Sequence, residues 1–339
     1  MSEKMIVPGI HHVTALASDP QRNLDFYTQV LGMRLVKLTV NFDDPGTYHL
    51  YFGDKLGHPG TILTFFPRPK GRKGQRGSGQ AAITAFSIPE NSLAFWEELL
   101  KNRSVQAQKR QTPFGETVLS FEDPDGLSVV LVERTVQGGE SDPDNKFFGN
   151  TRNLPTQVSP WEGTDVPVEF ALSGVHGLTL WEENPEPTIN LLGETLGLRL
   201  LEEKTGLFRM QSGTESQPGI LIDVRQMAGA AGRMGAGVVH HIAWRTRDKN
   251  QQLDWREKLL ELGLHVTQVY DRQYFHSIYF REPGGVLFEI ATDGPGFKRD
   301  ENVDELGRSL KLPEWLEPKR AEILETLPDL RLPVEIARE

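Results

Sequence analysis

The sequence predicts an α+β fold of four βαβββ modules, spanning 9–67, 81–134, 172–225 and 238–293. Three observations carry that prediction. Four segments align with one another, each joins short apolar runs to one amphipathic helix, and two of them end in glycine hairpins. Units one and three match along VTALASDPQRNLDFYTQVLGMRLVKL from Val13 and LTLWEENPEPTINLLGETLGLRLLEE from Leu178. Units two and four match along AAITAFSIPENSLAFWEELLKNRSVQAQ from Ala81 and HHIAWRTRDKNQQLDWREKLLELGLHVTQ from His240. Unit one resembles three more than it resembles two or four, so a pair of units was duplicated and a solenoid is unlike this pattern.

In the first unit Asp19-Pro20 supplies a helix start, and Leu24, Tyr27, Val30 and Leu31 recur at helical spacing. Gly32 and Gly197 stand where a helix end needs positive φ. In the second unit Leu93, Trp96, Leu99 and Leu100 make an apolar helix face, matched in the fourth by Leu253, Trp255, Leu259 and Leu260. Asp125-Gly126 and Gly284-Gly285 are hairpin turns that lead into apolar closing strands. The chain then divides into a first domain over 1–135, a Gly/Pro/Asn-rich linker over 136–168, a second domain over 169–295 and a tail over 296–339. Leu310, Leu312, Trp315, Leu316, Ile323, Leu324 and Leu327 suit a tail that docks on the body, partly as a helix.

A chain of 339 residues is long enough for two cores. With no cysteine, disulfides, thiolate zinc sites, iron–sulfur clusters and a thiol nucleophile are excluded. The net charge of −10 argues against nucleic acid or an anionic membrane as a partner. The basic stretch from Arg68 to Arg76 is rich in Pro and Gly and reads as a solvated connector rather than a phosphate loop. No run has signal-peptide form or membrane-spanning length, so a cytoplasmic location is expected.

The dipeptide His-His occurs in GIHHVTAL from Gly9 and in VVHHIAWR from Val238, while GVHGLTLW from Gly174 keeps one His. Aligning these strand openings puts His12 in register with Gly177, Ala82 and His241. Aligning the closing hairpins puts Glu289 in register with Val130 and Thr64. Of the positions able to face a common cavity, those of ligand type are His12, His241 and Glu289, and the remaining corresponding positions are inert. His11, His176 and His240 lie one residue earlier and, by strand alternation, are expected outside that set. If units one and two shared a sheet, His12 would sit apart from His241 and Glu289. Crossed pairing is therefore predicted, one with four and two with three. Two imidazoles and a carboxylate suit non-haem Fe(II) with positions left open, and zinc is the competitor. Glu289 lies between Phe288 and Ile290, where a carboxylate needs a partner.

Taken together, GIHHVT, VVHHIAW, GGVLFEIATDGPGF and LPEWLEPKRAEI resemble the vicinal-oxygen-chelate superfamily, and within it the hydroquinone-type ring-cleaving dioxygenases. The resemblance covers nearly the whole chain. It implies βαβββ units paired into two open barrels, and iron at His12, His241 and Glu289, with manganese, zinc or nickel as the alternatives. It also implies a small hydroquinone- or catechol-like aromatic substrate together with O₂. Further site residues fall on His11, Thr14, His240, Arg272 and Tyr279. Arg272 and Tyr279 would orient substrate and stabilise negative charge, His11 or His240 would move protons, and Thr14 shares the face of His12. The fourth ligand of glyoxalase-type members falls at Thr64, which favours an open redox site. A lyase or isomerase of the same superfamily, and a metal-free binder of small aromatics, are the rival readings. A homo-oligomer is compatible with the sequence, and His276 is expected on a strand surface.

Overall fold

The structure, a computed structural model, describes residues 5–134, 158–213 and 218–333. Residues 135–157, which include most of the expected 136–168 linker, lie outside the described residues. Module one contains β1 (Ile10–Ala17), α1 (Pro20–Asp25), β2 (Arg34–Asn41), β3 (Asp44–Gly53) and β4 (Ile62–Pro67). Module two contains β5 (Gln80–Pro89), α2 (Leu93–Asn102), β6 (Gln108–Gln111), β7 (Thr117–Glu122) and β8 (Ser128–Arg134). In module three β9 (Val175–Glu182) and α3 (Glu186–Asn190) precede β10 (Arg199–Lys204), β11 (Leu207–Gln211) and β12 (Leu221–Gln226). In module four β13 (Val238–Thr246) and α4 (Lys249–Glu261) precede β14 (Tyr270–Asp271), β15 (Phe275–Arg281) and β16 (Leu287–Pro295). Every unit is βαβββ, as the repeat predicts.

These strands form two eight-stranded sheets, ordered β14-β15-β16-β13-β1-β4-β3-β2 and β10-β11-β12-β9-β5-β8-β7-β6. Module one therefore pairs with four through antiparallel β1 and β13, and two with three through antiparallel β5 and β9. The crossed arrangement argued from the ligand positions is the arrangement found.

Local chemistry explains the elements. The Asp19 carboxylate accepts a hydrogen bond from the Arg22 amide and caps α1, with Pro20 in the first turn. Gly32 and Gly197 end the first and third helices at φ of 68° and 82°. Both of those helices widen into a π turn, at Phe26–Val30 and Leu191–Thr195, a feature that apolar spacing does not signal. In α4 the buried stripe is Gln252, Trp255 and Leu259, whereas Leu253 and Leu260, expected on that face, are exposed. Gln252 holds the inner position because its amide donates to the carbonyls of His276 and Ile290, both at 2.7 Å.

Tyr51, Ile62, Ala243, Tyr274, Phe275, Ala291 and Phe297 form an apolar cluster with the first sheet, separate from the large core that joins both sheets. The chain beyond β16 closes over β2. Phe297 packs on Tyr51 and Tyr274, with ring centres 5.1 and 5.3 Å apart. The fully buried Lys37 ammonium reaches Asp300 at 2.6 Å and also Glu301. Lys311 donates its amide to the Leu38 carbonyl at 2.9 Å, and a last helix, α5 (Arg320–Thr326), buries Ile323. The stretch after Arg68 is largely exposed and bridges to the 231–236 segment, in keeping with a connector. Among the described residues no helix is long and apolar enough to cross a membrane.

Candidate metal centre

Strand register brings the three expected ligands together. On β1 and β13, His12 lies opposite Ala243 and Thr14 opposite His241, and Ala243 is in turn the neighbour of Glu289 on β16. One ligand atom from each of His12, His241 and Glu289 lies within 4.8 Å of the others, and all three residues are buried. The Nε2 atoms of His12 and His241 stand 3.4 and 2.9 Å from Glu289 Oε2. Neither contact has hydrogen-bond geometry, so Oε2 is a buried acceptor without a hydrogen-bond partner. The other oxygen, Oε1, accepts from the Ser277 hydroxyl at 2.5 Å.

The doubled histidines have a backbone cause. β1 slips register between Ile10 and His12, and between Thr14 and Ala15 the slip falls on β13, opposite His241 and Val239. His11 and His240 are thus the extra residues of two β-bulges. A bulge breaks the alternation on which their exclusion rested, and each turns back on its neighbour. His11 and His12 meet Nδ1 to Nδ1 at 2.9 Å, and His240 and His241 at 2.8 Å. Burial drives the His11 pKa well below the ordinary imidazole range, and burial with His241, Arg281 and Arg68 nearby takes His240 down to about 3. Both are neutral and can accept. Assigning each shared proton to Nδ1 of His12 and His241 leaves both Nε2 lone pairs facing Glu289. Burial raises the Glu289 pKa, but positive charge on the His12 and His241 side outweighs it and holds the carboxyl well below its usual range. A divalent cation between the three would supply that charge when both imidazoles are neutral. Three acceptors without a proton between them converge on one buried point, a donor set that fits a divalent cation.

Thr14 also lies in this cavity, accepting from the Thr64 hydroxyl at 3.0 Å. Tyr279 pairs with Glu289 across β15 and β16, and its hydroxyl accepts from Arg272 Nε at 3.2 Å. Arg272 reaches Asp43 as well, 3.0 Å away toward solvent. All five further residues thus gather around the triad. His276 is half-buried on β15, and its amide donates to the Thr292 hydroxyl.

Sequence reasoning missed His49 and Tyr51 on β3. His49 Nε2 lies 2.8 Å from Thr64 Oγ1, and since Thr64 donates onward to Thr14, His49 is the donor. Burial, reinforced by His12, His241 and Arg272, lowers its pKa well below the usual value. Counting back from Thr64 and Glu289 would have matched Tyr51 with Tyr279, but the loops between those strands differ in length.

The second barrel has the same bulges, at Ala82 and His176. Its register equates Ile83, not Ala82, with His241, which corrects the strand-opening alignment by one residue. It also puts Asp223 at the place of Thr64, so that position is not inert. Arg209 neutralises Asp223 with two hydrogen bonds of 2.8 and 2.9 Å.

The superfamily described as Glyoxalase/Bleomycin resistance protein/Dioxygenase matches residues 9–131 and 174–290. MhqO of Bacillus subtilis, which carries the provisional name ring-cleaving dioxygenase, is 44% identical over 97% of both chains. The chlorohydroquinone/hydroquinone 1,2-dioxygenase of Sphingobium indicum is 34% identical over 95% of this chain and 97% of its own. A crystal structure from Bacillus subtilis, again provisionally named a dioxygenase, superposes with a TM-score of 0.85 at 43% identity, covering 97% of this chain and 99% of that one. Repeat, crossed sheets and both matched halves agree: the chain belongs to the Glyoxalase/Bleomycin resistance protein/Dioxygenase superfamily.

Proposed function

We propose that this protein is a ring-cleaving dioxygenase that opens a hydroquinone-like aromatic with O₂, using divalent iron held by His12, His241 and Glu289. The observation that carries the reading is the convergence of two imidazoles and Glu289 at one buried point, with ligand atoms within 4.8 Å of one another and Oε2 without a hydrogen-bond partner. Iron held there would supply the redox chemistry that joins a phenol-type substrate to O₂. Manganese, zinc and nickel can use the same donors. Thr64 occupies the site of a fourth ligand and already bonds Thr14 and His49, which favours the open redox centre over a four-ligand isomerase site. The names of the Bacillus and Sphingobium relatives support the substrate class.

The residues of the chain then take separate tasks. Arg272 faces the cavity beside Tyr279 and attracts a substrate oxygen that is losing its proton. Burial raises the Tyr279 pKa, with Glu289 adding to the effect, so its hydroxyl keeps its proton and can donate. His11 and His240 hold the rings of His12 and His241, and His49, whose Nε2 donates to Thr64, keeps Nδ1 as an acceptor that can take up a proton. Phe275, with its ring centre 5.1 Å from those of His11 and His12, keeps water from the inner wall.

The test is anaerobic loading with Fe(II), metal analysis, then O₂ uptake with hydroquinone. One equivalent of iron and oxygen uptake matched to loss of the aromatic ring are expected. His12→Ala and Glu289→Ala should abolish uptake and metal binding while the protein stays folded. Full activity in either variant, or turnover without O₂, overturns the reading.

A further inference from the structure

Modules one and four are related by an approximate twofold within their barrel, and that relation singles out a hydroxyl that the packing of the fold does not use. Thr64 is the neighbour of Thr14, two residues beyond His12, and Glu289 is the neighbour of Ala243, two residues beyond His241. Tyr51 pairs with Thr64, and Tyr279 pairs with Glu289. His49, bonded to Thr64, likewise corresponds to Ser277, bonded to Glu289. Two tyrosines therefore face the triad from opposite walls.

Their hydroxyls differ in one respect. Tyr279 is engaged by Arg272. Tyr51 is 1% exposed, with its ring held 3.9 Å from that of His49 and 5.1 Å from that of Phe297, yet its hydroxyl has no hydrogen-bond partner among the described residues. Burial raises the Tyr51 pKa well above the phenol value, and the groups that act on it next are Tyr279, Glu289 and Arg272, all around the triad. The hydroxyl is not itself fully buried, so it opens onto the cavity, where phenylalanine would fill the same wall without offering a donor. Its retention makes sense if a ligand oxygen completes it.

We propose that Tyr51 is a substrate-binding residue whose hydroxyl donates a hydrogen bond to the second ring oxygen of a hydroquinone, the one that does not reach the triad. This rests on the proposed function. A para-diol carries its oxygens at opposite ends of the ring, and donors on opposite walls suit it. Tyr279 with Arg272 serves one wall and Tyr51 the other.

The test compares wild type with Tyr51→Phe, both loaded anaerobically with Fe(II), by calorimetric titration with hydroquinone and with phenol, which lacks the second hydroxyl. Wild type should bind hydroquinone about fivefold more tightly than phenol, and Tyr51→Phe should erase that gap while leaving phenol affinity unchanged. Iron content and unfolding temperature should stay as in wild type. A gap that survives in the variant, or equal weakening of both ligands, overturns the role of Tyr51 and leaves the proposed function standing. Failure of wild type to bind hydroquinone overturns both.

Discussion

Glu182 and Glu282 provide a sharp test of how buried charge governs stability in this fold. Glu182 ends β9 at 1% exposure, and Glu282 opens the hairpin before β16 at 2%. Glu282 is well bonded, accepting from Thr188 at 2.6 Å and from the amides of Gly284 and Val286 at 2.8 and 2.7 Å. Glu182 Oε1 has no hydrogen-bond partner, and its other oxygen presses so close to Gly284 that a Cβ there would lie 1.6 Å away. Burial first, and Glu282 second, raise the Glu182 pKa to about 8. The folded protein at neutral pH thus holds a proton that the unfolded chain releases above the ordinary carboxyl range. Its stabilising effect is complete below a pH of about 4.5 and is lost as pH rises toward about 8. The full displacement sets a ceiling of roughly 5 kcal/mol, and relaxation around the carboxyl pair reduces it to about 2 kcal/mol. Glu182→Gln replaces the protonated acid with a neutral amide of the same shape. Thermal unfolding from pH 5 to 8.5 should show wild type falling by about 3 °C relative to the variant. Parallel profiles for the two proteins would refute the argument.

Two further outcomes follow from other buried groups. His11→Ala and His240→Ala remove the acceptors that orient the triad imidazoles, and each should weaken Fe(II) binding by about 10–100-fold in a competitive chelator titration, with the fold retained. Lys37→Met strands Glu301 and Asp300 beneath the tail, and urea unfolding should show a loss of about 3–5 kcal/mol, partly recovered when Glu301→Gln is added.

The repeat, the crossed sheets and the convergence of His12, His241 and Glu289 were legible because they depend on residue type at fixed spacing. The bulges were not. An extra residue in a strand is a backbone choice that no side chain demands, and it both shifted the second-unit register from Ala82 to Ile83 and brought His11 and His240 beside the triad. His49 and Tyr51 escaped notice because their roles come from partners across the barrel. Leu253 and Leu260 misled because a buried Gln252, satisfied by two carbonyls, holds the inner face of α4.

Among the described residues the convergence of two His and a Glu is confined to one barrel, although both have the same frame. Each carries the paired bulges, and each offers four corresponding positions around its axis. In the first these are His12, His241, Glu289 and Thr64, and in the second Gly177, Ile83, Val130 and Asp223. In the second barrel the charged groups near these positions engage one another. Arg209 bonds Asp223 and lies 2.8 Å from Glu116, which in turn lies 3.3 Å from His176. It is also closed sterically, since a Cβ on Gly177 would lie 2.5 Å from the Leu221 carbonyl oxygen, a backbone atom that cannot swing away. Gly177→His with Ile83→His should therefore lower the unfolding temperature and leave the metal content at one equivalent per chain. A second equivalent bound with unchanged stability would mean that side-chain identity alone, and not this backbone closure, decides which barrel holds the ion.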